Sequence, residues 1–150
     1  MHHARPLAVL ALVAAVSAPF AGAVLAKEMV NNPDVKARID TMEQFRTHMK
    51  VLGNMAKGTL DYSPTQAAEA AAGVQAAAVT VAPLFEKEAH DPASDAKDAI
   101  WKDFAAFSAK AEALVEASIA IDTSSLEAVQ ASVQRVGVTC KSCHDDYKKD

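Results

Sequence analysis

The sequence predicts an all-α protein that folds as an antiparallel four-helix bundle. The chain is rich in Ala, Leu, Glu and Lys, which favour helices, and only 5 of its 150 residues are glycine. Apolar residues recur every three or four positions over four long stretches, as they do on one face of a helix. Helix start signals and short connections separate these stretches, so consecutive helices should run antiparallel. The length suits one domain.

The N-terminal segment has the features of an export signal. Arg5 supplies a positive charge, residues 7–16 are apolar, and small residues at 21–23 suit a cleavage site. An uncleaved membrane anchor is the alternative, although the apolar run is short for a membrane span.

We therefore expect residues 1–23 to be a secretory signal peptide, with cleavage as late as residue 26, and residues 27–150 to form the bundle. The whole chain carries 15 basic and 19 acidic residues, a formal net charge of −4. Removing residues 1–23 removes one cation and leaves 14 basic against 19 acidic residues, a charge of −5. This mildly acidic balance argues against nucleic-acid binding, which needs a basic patch.

The first two helices have start signals that contain proline. Asn32 should cap the first helix with Pro33 at its first position. The segment Ser63-Pro64-Thr65-Gln66 suggests a capping box for the second helix, which is rich in alanine. Pro83 should kink or end that helix. The apolar stripe of the first helix consists of Val35, Ile39, Met42, Phe45, Met49 and Leu52.

The third and fourth helices begin after serine. Ser94 is expected to cap the third helix, which follows the turn signal Asp91-Pro92. The segment Ser124-Ser125-Leu126-Glu127 predicts a capping box for the fourth helix. The apolar stripe of this helix comprises Leu126, Val129, Val133, Val136, Cys140, Cys143 and Tyr147.

The segment Cys140-Lys141-Ser142-Cys143-His144 has the pattern C-x-x-C-H, the attachment sequence of a c-type haem. The two thiols can add across the vinyl groups of a haem, and His144 can give an imidazole nitrogen to its iron. On a helix these three side chains share one face, because they are spaced by three and four residues. The cysteines continue an apolar stripe, so we predict one covalently attached haem c in the bundle core.

Three other interpretations of the two cysteines stay open. A structural disulfide would close a tight ring that stabilises little. A thioredoxin-like redox pair sits near a βαβ pattern, and the sequence has no strand signals. A zinc site needs four ligands, and beyond the N-terminal segment the only other histidines are His48 and His90.

A bundle with this motif in its last helix resembles the class II c-type cytochromes, which include the cytochromes c′ and the low-spin cytochromes c-556. The similarity spans residues 34–149. Residues 136–147 look like the family pattern V-G-x-x-C-K-x-C-H-x-x-Y/F, and residues 35–42 look like V-K-x-R-x-x-x-M/L. Ile100-Trp101 is similar to the I-W pair of the family's third helix.

The resemblance implies roles for several further residues. Arg38 would lie near a haem propionate, which suits the planar fork of arginine; an exposed arginine at the helix rim is the alternative. Phe45 and Tyr147 are expected to line the haem pocket. His48 is expected at the surface and Trp101 in the core.

Met42 distinguishes two kinds of iron site. The resemblance implies an aliphatic residue there and a five-coordinate, high-spin iron in cytochromes c′, but a methionine ligand in the c-556 type. We expect Met42 and His144 to be the axial ligands, an arrangement that raises the reduction potential. Met42 as a core filler is the alternative, and Met49 is the next candidate ligand.

The expected function is that of a periplasmic monohaem cytochrome, which exchanges electrons with redox partner proteins through low-spin, His/Met-ligated iron. The alternative is a five-coordinate, high-spin cytochrome c′ that binds NO or CO, which requires Met42 to point away or to be displaced. No residue set for nucleophilic or acid–base catalysis is visible, so we do not expect an enzyme. The apolar surroundings of Met42 argue against a peroxidase. A homodimer through the first two helices is compatible with the alanine-rich second helix but not required by it.

Overall fold

Four long helices and two short ones build the bundle in the computed structural model, which describes residues 29–149. The long helices are α1 (Pro33–Ala56), α2 (Pro64–Ala78), α5 (Phe104–Ile119) and α6 (Leu126–Tyr147), and the short ones are α3 (Val81–Phe85) and α4 (Ala99–Lys102). α1 packs against α2 and α6, and α5 packs against the same two helices. The predicted all-α four-helix bundle is confirmed. The predicted signal peptide lies outside the described residues.

Serine and asparagine caps begin three of the long helices. Asn32 caps α1 and Ser63 caps α2, as predicted. α6 begins one residue later than expected, because the hydroxyl of Ser125, and not that of Ser124, accepts the N–H of Ala128 at 3.1 Å. A capping box needs a Glu or Gln three residues after the cap, whose side chain bonds back to the backbone N–H of the cap. Ala128 stands at that position, so α6 begins with the single cap of Ser125 and not with a capping box.

The predicted start of the third helix at Ser94 is wrong. The Ser94 hydroxyl accepts the N–H of Ala96 at 3.3 Å within a turn, and the long helix α5 begins after its own cap, Asp103. Residues 95–97 instead pair antiparallel with residues 147–149, through Lys97 N–H to Tyr147 C=O at 2.9 Å and Lys149 N–H to Asp95 C=O at 2.7 Å. This pairing with a distant segment supersedes the local start signal.

The alanine-rich helix breaks just before Pro83, as expected. α2 ends at Ala78 and α3 begins at Val81, so the break lies at Val79 and Thr80. A proline ring clashes with the carbonyl four residues earlier, which here belongs to Val79. By length and composition alone, the segment Pro64–Phe85 is apolar and long enough to span a membrane, with a mean hydropathy of 1.3 over its most apolar 18 residues, of which 39% are buried inside the bundle.

α1 and α2 approach each other closely at His48 and Gly73. A β-carbon on Gly73 would lie 2.3 Å from Nε2 of His48, so the imidazole packs directly on the glycine. His48, which was expected at the surface, is half-buried and packs between the two helices. The core beyond this contact is formed by aliphatic and aromatic side chains, among them Leu52, Met55, Val74, Ile100, Phe107, Val129 and Val136.

Candidate functional site

A cavity of about 870 Å³ opens between α1, α5, α6 and residues 92–96. Ligand pockets in proteins typically measure about 300–1,000 Å³, so this cavity can take a cofactor of several rings. The structure brings all the predicted site residues together, since the cavity lining includes Arg38, Met42, Phe45, Cys140, Cys143, His144 and Tyr147.

The haem motif forms the α6 wall of this cavity. Cys140 and Cys143 are half-buried, and burial raises the pKa of both thiols, so both are neutral at pH 7. Burial and, secondarily, the nearby Lys148 lower the pKa of His144. His144 is then a neutral imidazole at pH 7, the form whose nitrogen lone pair can bind a metal. Two thiols and a neutral imidazole on one helix face fit a covalently held haem.

The other interpretations of the cysteines find no support within residues 29–149. Both cysteines are free thiols. No group of three His, Cys, Asp or Glu residues in this range could hold a metal ion such as zinc. The only β-type pairing described is the isolated bridge between Ala96 and Lys148, so a βαβ unit is absent from this part of the chain.

Contacts from α5 hold the last turns of α6 in place. The ring of Tyr147 packs edge-on against Phe107 at 5.3 Å between centroids. Lys110 on α5 donates to the C=O of Ser142 at 2.9 Å and pairs with Asp146 at 2.6 Å. The neighbouring Cys143 and His144 are thus fixed relative to the cavity.

Arg38 is a buried cation at one side of the cavity, with 3% of its surface exposed. It donates Nε–H to Leu84 C=O at 2.9 Å, an Nη1–H to Ala89 C=O at 3.0 Å and an Nη2–H to Lys87 C=O at 2.5 Å. Its guanidinium also lies 4.6 Å from the ring centroid of Phe85. Arg38 is therefore not the exposed rim residue of our alternative; it organises the turn after α3. A guanidinium carries five N–H groups, so two remain after these three bonds.

The α1 wall combines apolar and charged residues. Met42 and Met49 face the cavity and pack against the core. Glu43 and Arg46 line the same cavity and form an ion pair, with Nε of Arg46 at 3.0 Å from Oε2 of Glu43. Sequence reasoning missed this pair because it followed only apolar residues. The helical period could have found Arg46, which lies four residues after Met42 on the same face.

Asp91 ties the segment before α1 to the loop between α3 and α4. Its carboxylate accepts the backbone N–H groups of Asn31 at 2.8 Å, Asn32 at 2.9 Å and Ala93 at 2.9 Å. These bonds, the one from Ala93 first, lower the pKa of Asp91. Because Val30 and Ala93 line the cavity, Asp91 closes one of its edges.

A family model and several relatives of known name identify a family for the chain. The family model described as Cytochrome C′ matches residues 34–148. The chain is 33% identical over 121 residues to cytochrome c′ of Rhodospirillum rubrum, covering 77% of this chain and 82% of the relative.

Two solved structures of variants of cytochrome c prime from Alcaligenes xylosoxidans share the fold. Their descriptions name one as a nitric oxide complex and the other as carbon monoxide-bound. Each superposes with a TM-score of 0.71 at 25% identity and covers 78% of this chain and 94% of the solved chain.

These comparisons overturn the expected function. The matched family is that of the cytochromes c′, and both of the solved structures described above hold NO or CO, so the expectation of a low-spin, His/Met-ligated electron carrier is wrong. The sequence period correctly placed Met42 on the cavity face. It could not distinguish a thioether that binds iron from one that fills apolar space, because methionine does both.

Proposed function

Because the chain belongs to the cytochrome c′ family, whose members carry covalently attached haem c, we propose that it holds a five-coordinate, high-spin haem that binds NO or CO. The observation that carries this proposal is the position of Cys140, Cys143 and His144 on one wall of an apolar cavity that faces α1. When bound, the haem supplies an iron whose sixth position takes a small diatomic molecule.

The α6 residues would hold the cofactor. The thiols of Cys140 and Cys143 would each add across one vinyl group of the haem, with sulfur bonded to one carbon and the thiol hydrogen to the other, and with no net oxidation or reduction. His144 would ligate the iron through its neutral imidazole. Since all three groups lie on two turns of one helix, they would hold the haem firmly against α6.

The α1 residues would form the gas-binding side. Ile39, Met42 and Phe45 line the cavity there with apolar side chains. Such a wall excludes water and favours a small neutral ligand over a polar one. Met42 would act as a wall of this pocket and would limit the space left for a gas ligand.

Arg38, Phe45 and Tyr147 complete the proposed pocket. The two N–H groups of Arg38 that remain after its three carbonyl bonds can both be accepted by a haem propionate. The rings of Phe45 and Tyr147 would contact the macrocycle from α1 and α6.

The remaining parts of the proposal concern the cellular setting. The features of residues 1–23 support export to the periplasm, where bacterial c-type haem is attached. CO binds ferrous iron, so a redox partner protein would have to reduce the haem. We propose a binding protein and not an enzyme, because the one carboxylate on the α1 wall, that of Glu43, is held in an ion pair with Arg46, and the other α1 residues of the lining, apart from Arg38, are apolar. A homodimer remains compatible with the alanine-rich α2.

The test is the visible absorption spectrum of the mature, haem-loaded protein, oxidised and reduced, with and without CO. We expect one broad band near the α and β positions in the reduced form and a clear shift on addition of CO. Sharp, well-separated α and β bands that CO does not move would mean a closed iron and would contradict the proposal.

A further inference from the structure

The cavity wall on α1 carries one ion pair whose role the gas-binding proposal does not explain. Glu43 and Arg46 both line the cavity, and two N–H groups of Arg46 point to the same oxygen, Oε2 of Glu43. A second ion pair on the same helix, Lys36 with Asp40, does not line the cavity. Of these two ion pairs on α1, only Glu43–Arg46 lines the cavity.

The Glu43–Arg46 pair sits at the mouth of the cavity and not in its depth. Its side chains are 56% and 74% exposed, so water reaches them from outside while the cavity lies behind them. Arg46 follows Met42 by one helical turn on the face that includes Met49. The long stem of an arginine can cover apolar surface while its charged end stays in water, which suits this position beside two methionines.

An unpaired arginine at this mouth would change which molecules enter. A single positive charge at a cleft entrance concentrates small anions and raises their association rates, and salt screens the effect. The carboxylate of Glu43, bonded to the same guanidinium, cancels most of that charge. Neutral diatomic gases do not respond to either charge.

We propose that the Glu43–Arg46 ion pair is a charge filter at the cavity mouth, which keeps small inorganic anions from being drawn to the haem while neutral gases enter freely. This inference rests on the proposed open iron. Arg46 lines the mouth, and Glu43 neutralises the charge that Arg46 would otherwise place there.

The experiment measures azide binding to the oxidised, haem-loaded protein and CO binding to the reduced protein by stopped flow. At low salt, Glu43→Gln should raise the azide association rate about threefold to tenfold, since it exposes the charge of Arg46, and Arg46→Gln should lower it. High salt should abolish both changes. CO association should stay within about twofold in both variants, because CO carries no charge.

Asp40→Asn is the matched control, because it also leaves a cation on α1 unpaired but away from the cavity. The midpoint reduction potential gives a second readout that needs no ligand: it should rise in Glu43→Gln and fall in Arg46→Gln. Azide rates and potentials in Glu43→Gln equal to those of Asp40→Asn would overturn the filter. A wild-type protein that binds neither CO nor azide would refute the open iron itself, whatever the variants do.

Discussion

The imidazole of His48 on α1 lies against Gly73 on α2, where a β-carbon would come within 2.3 Å of Nε2 and 2.4 Å of Cε1. Gly73→Ala should therefore push His48 out of its place between the helices. We expect a net loss of no more than about 1 kcal/mol in the free energy of unfolding of the haem-loaded protein, measured by urea denaturation, because the imidazole can turn toward solvent and alanine itself favours the helix.

Gly53→Ala is the control for this substitution, because a β-carbon on Gly53 meets nothing within 4 Å. Replacing a helical glycine by alanine in open space should stabilise the protein by about 0.5–1 kcal/mol. Adding His48→Ala to Gly73→Ala should recover most of the loss. If the changes in the free energy of unfolding caused by Gly73→Ala and His48→Ala simply add in the double variant, contact with His48 is not what requires a glycine at position 73.

Arg38→Lys tests whether the fork of the buried arginine matters beyond its charge. A lysine cannot reach the carbonyls of Leu84, Lys87 and Ala89 together, so buried acceptors lose their donors. We expect a loss of about 2–4 kcal/mol in urea unfolding. Arg135→Lys, at an exposed position of α6, should change stability by less than about 0.5 kcal/mol. Equal losses in the free energy of unfolding for Arg38→Lys and Arg135→Lys would show that the three carbonyl bonds of Arg38 do not stabilise the fold.

Met42→Ala should leave the spectrum of the haem high-spin and speed the binding of CO several-fold. The reason is that the substitution removes a pocket wall and no iron ligand. Flash photolysis of the CO complex measures the rate, and Met29→Ala, at a residue 82% exposed, serves as the unaffected control. A low-spin wild-type spectrum that turned high-spin in Met42→Ala would instead identify a ligand.

The carboxylate of Asp91 should add to the free energy of unfolding at neutral pH and lose this contribution in acid. Its pKa is lowered in the folded protein by backbone N–H bonds, first from Ala93 and then from Asn32. A group with a lowered folded pKa stabilises the protein above its unfolded pKa of about 3.9, and this contribution is lost as the pH falls through the folded pKa. Asp91→Asn should therefore flatten the decline of stability between about pH 5 and pH 2.

Urea unfolding at a series of pH values measures the effect at Asp91. Asp61→Asn, at an exposed position between α1 and α2, should retain the slope of the wild type. A slope that is unchanged in Asp91→Asn would mean that its carboxylate is not the acid-sensitive tie between the N-terminal segment and the loop before α4.

The double substitution Cys140→Ala with Cys143→Ala should abolish the haem stain on a denaturing gel, because no thiol remains to form a thioether. Ser142→Ala, between the two cysteines, should leave the stain at the wild-type level. A folded double variant with its stain intact would contradict the attachment that the motif predicts.

Local signals in the sequence were enough for most of the fold. Asn32 and Ser63 cap their helices as predicted, and Pro83 interrupts the alanine-rich helix. Ser94 misled the prediction, because residues 95–97 are held by backbone bonds to residues 147–149, which lie about fifty positions away. No rule based on neighbouring residues contains that information.

The part of the candidate site that depends only on which residues share a helix face could be predicted from the sequence. Cys140, Cys143 and His144 line one cavity, and their spacing had placed them on one helix face. Met42, which the family resemblance singled out, lines the same cavity. The partners of Arg38 could not be predicted, because its carbonyl acceptors belong to a turn almost fifty residues away. The ion pair of Glu43 and Arg46 was overlooked for a different reason: two charged residues beside an apolar stripe usually face solvent.

The order in which the chain leaves the ribosome gives a further meaning to the position of α6. Both α1 and α5 pack against α6, so neither buries its apolar face completely until this last described helix has been made. Contacts between α1 and α6 join segments far apart in sequence and form late. Until α6 packs against α1 and α5, the cavity lacks the wall that carries Cys140, Cys143 and His144, so the haem site is complete only when the bundle is.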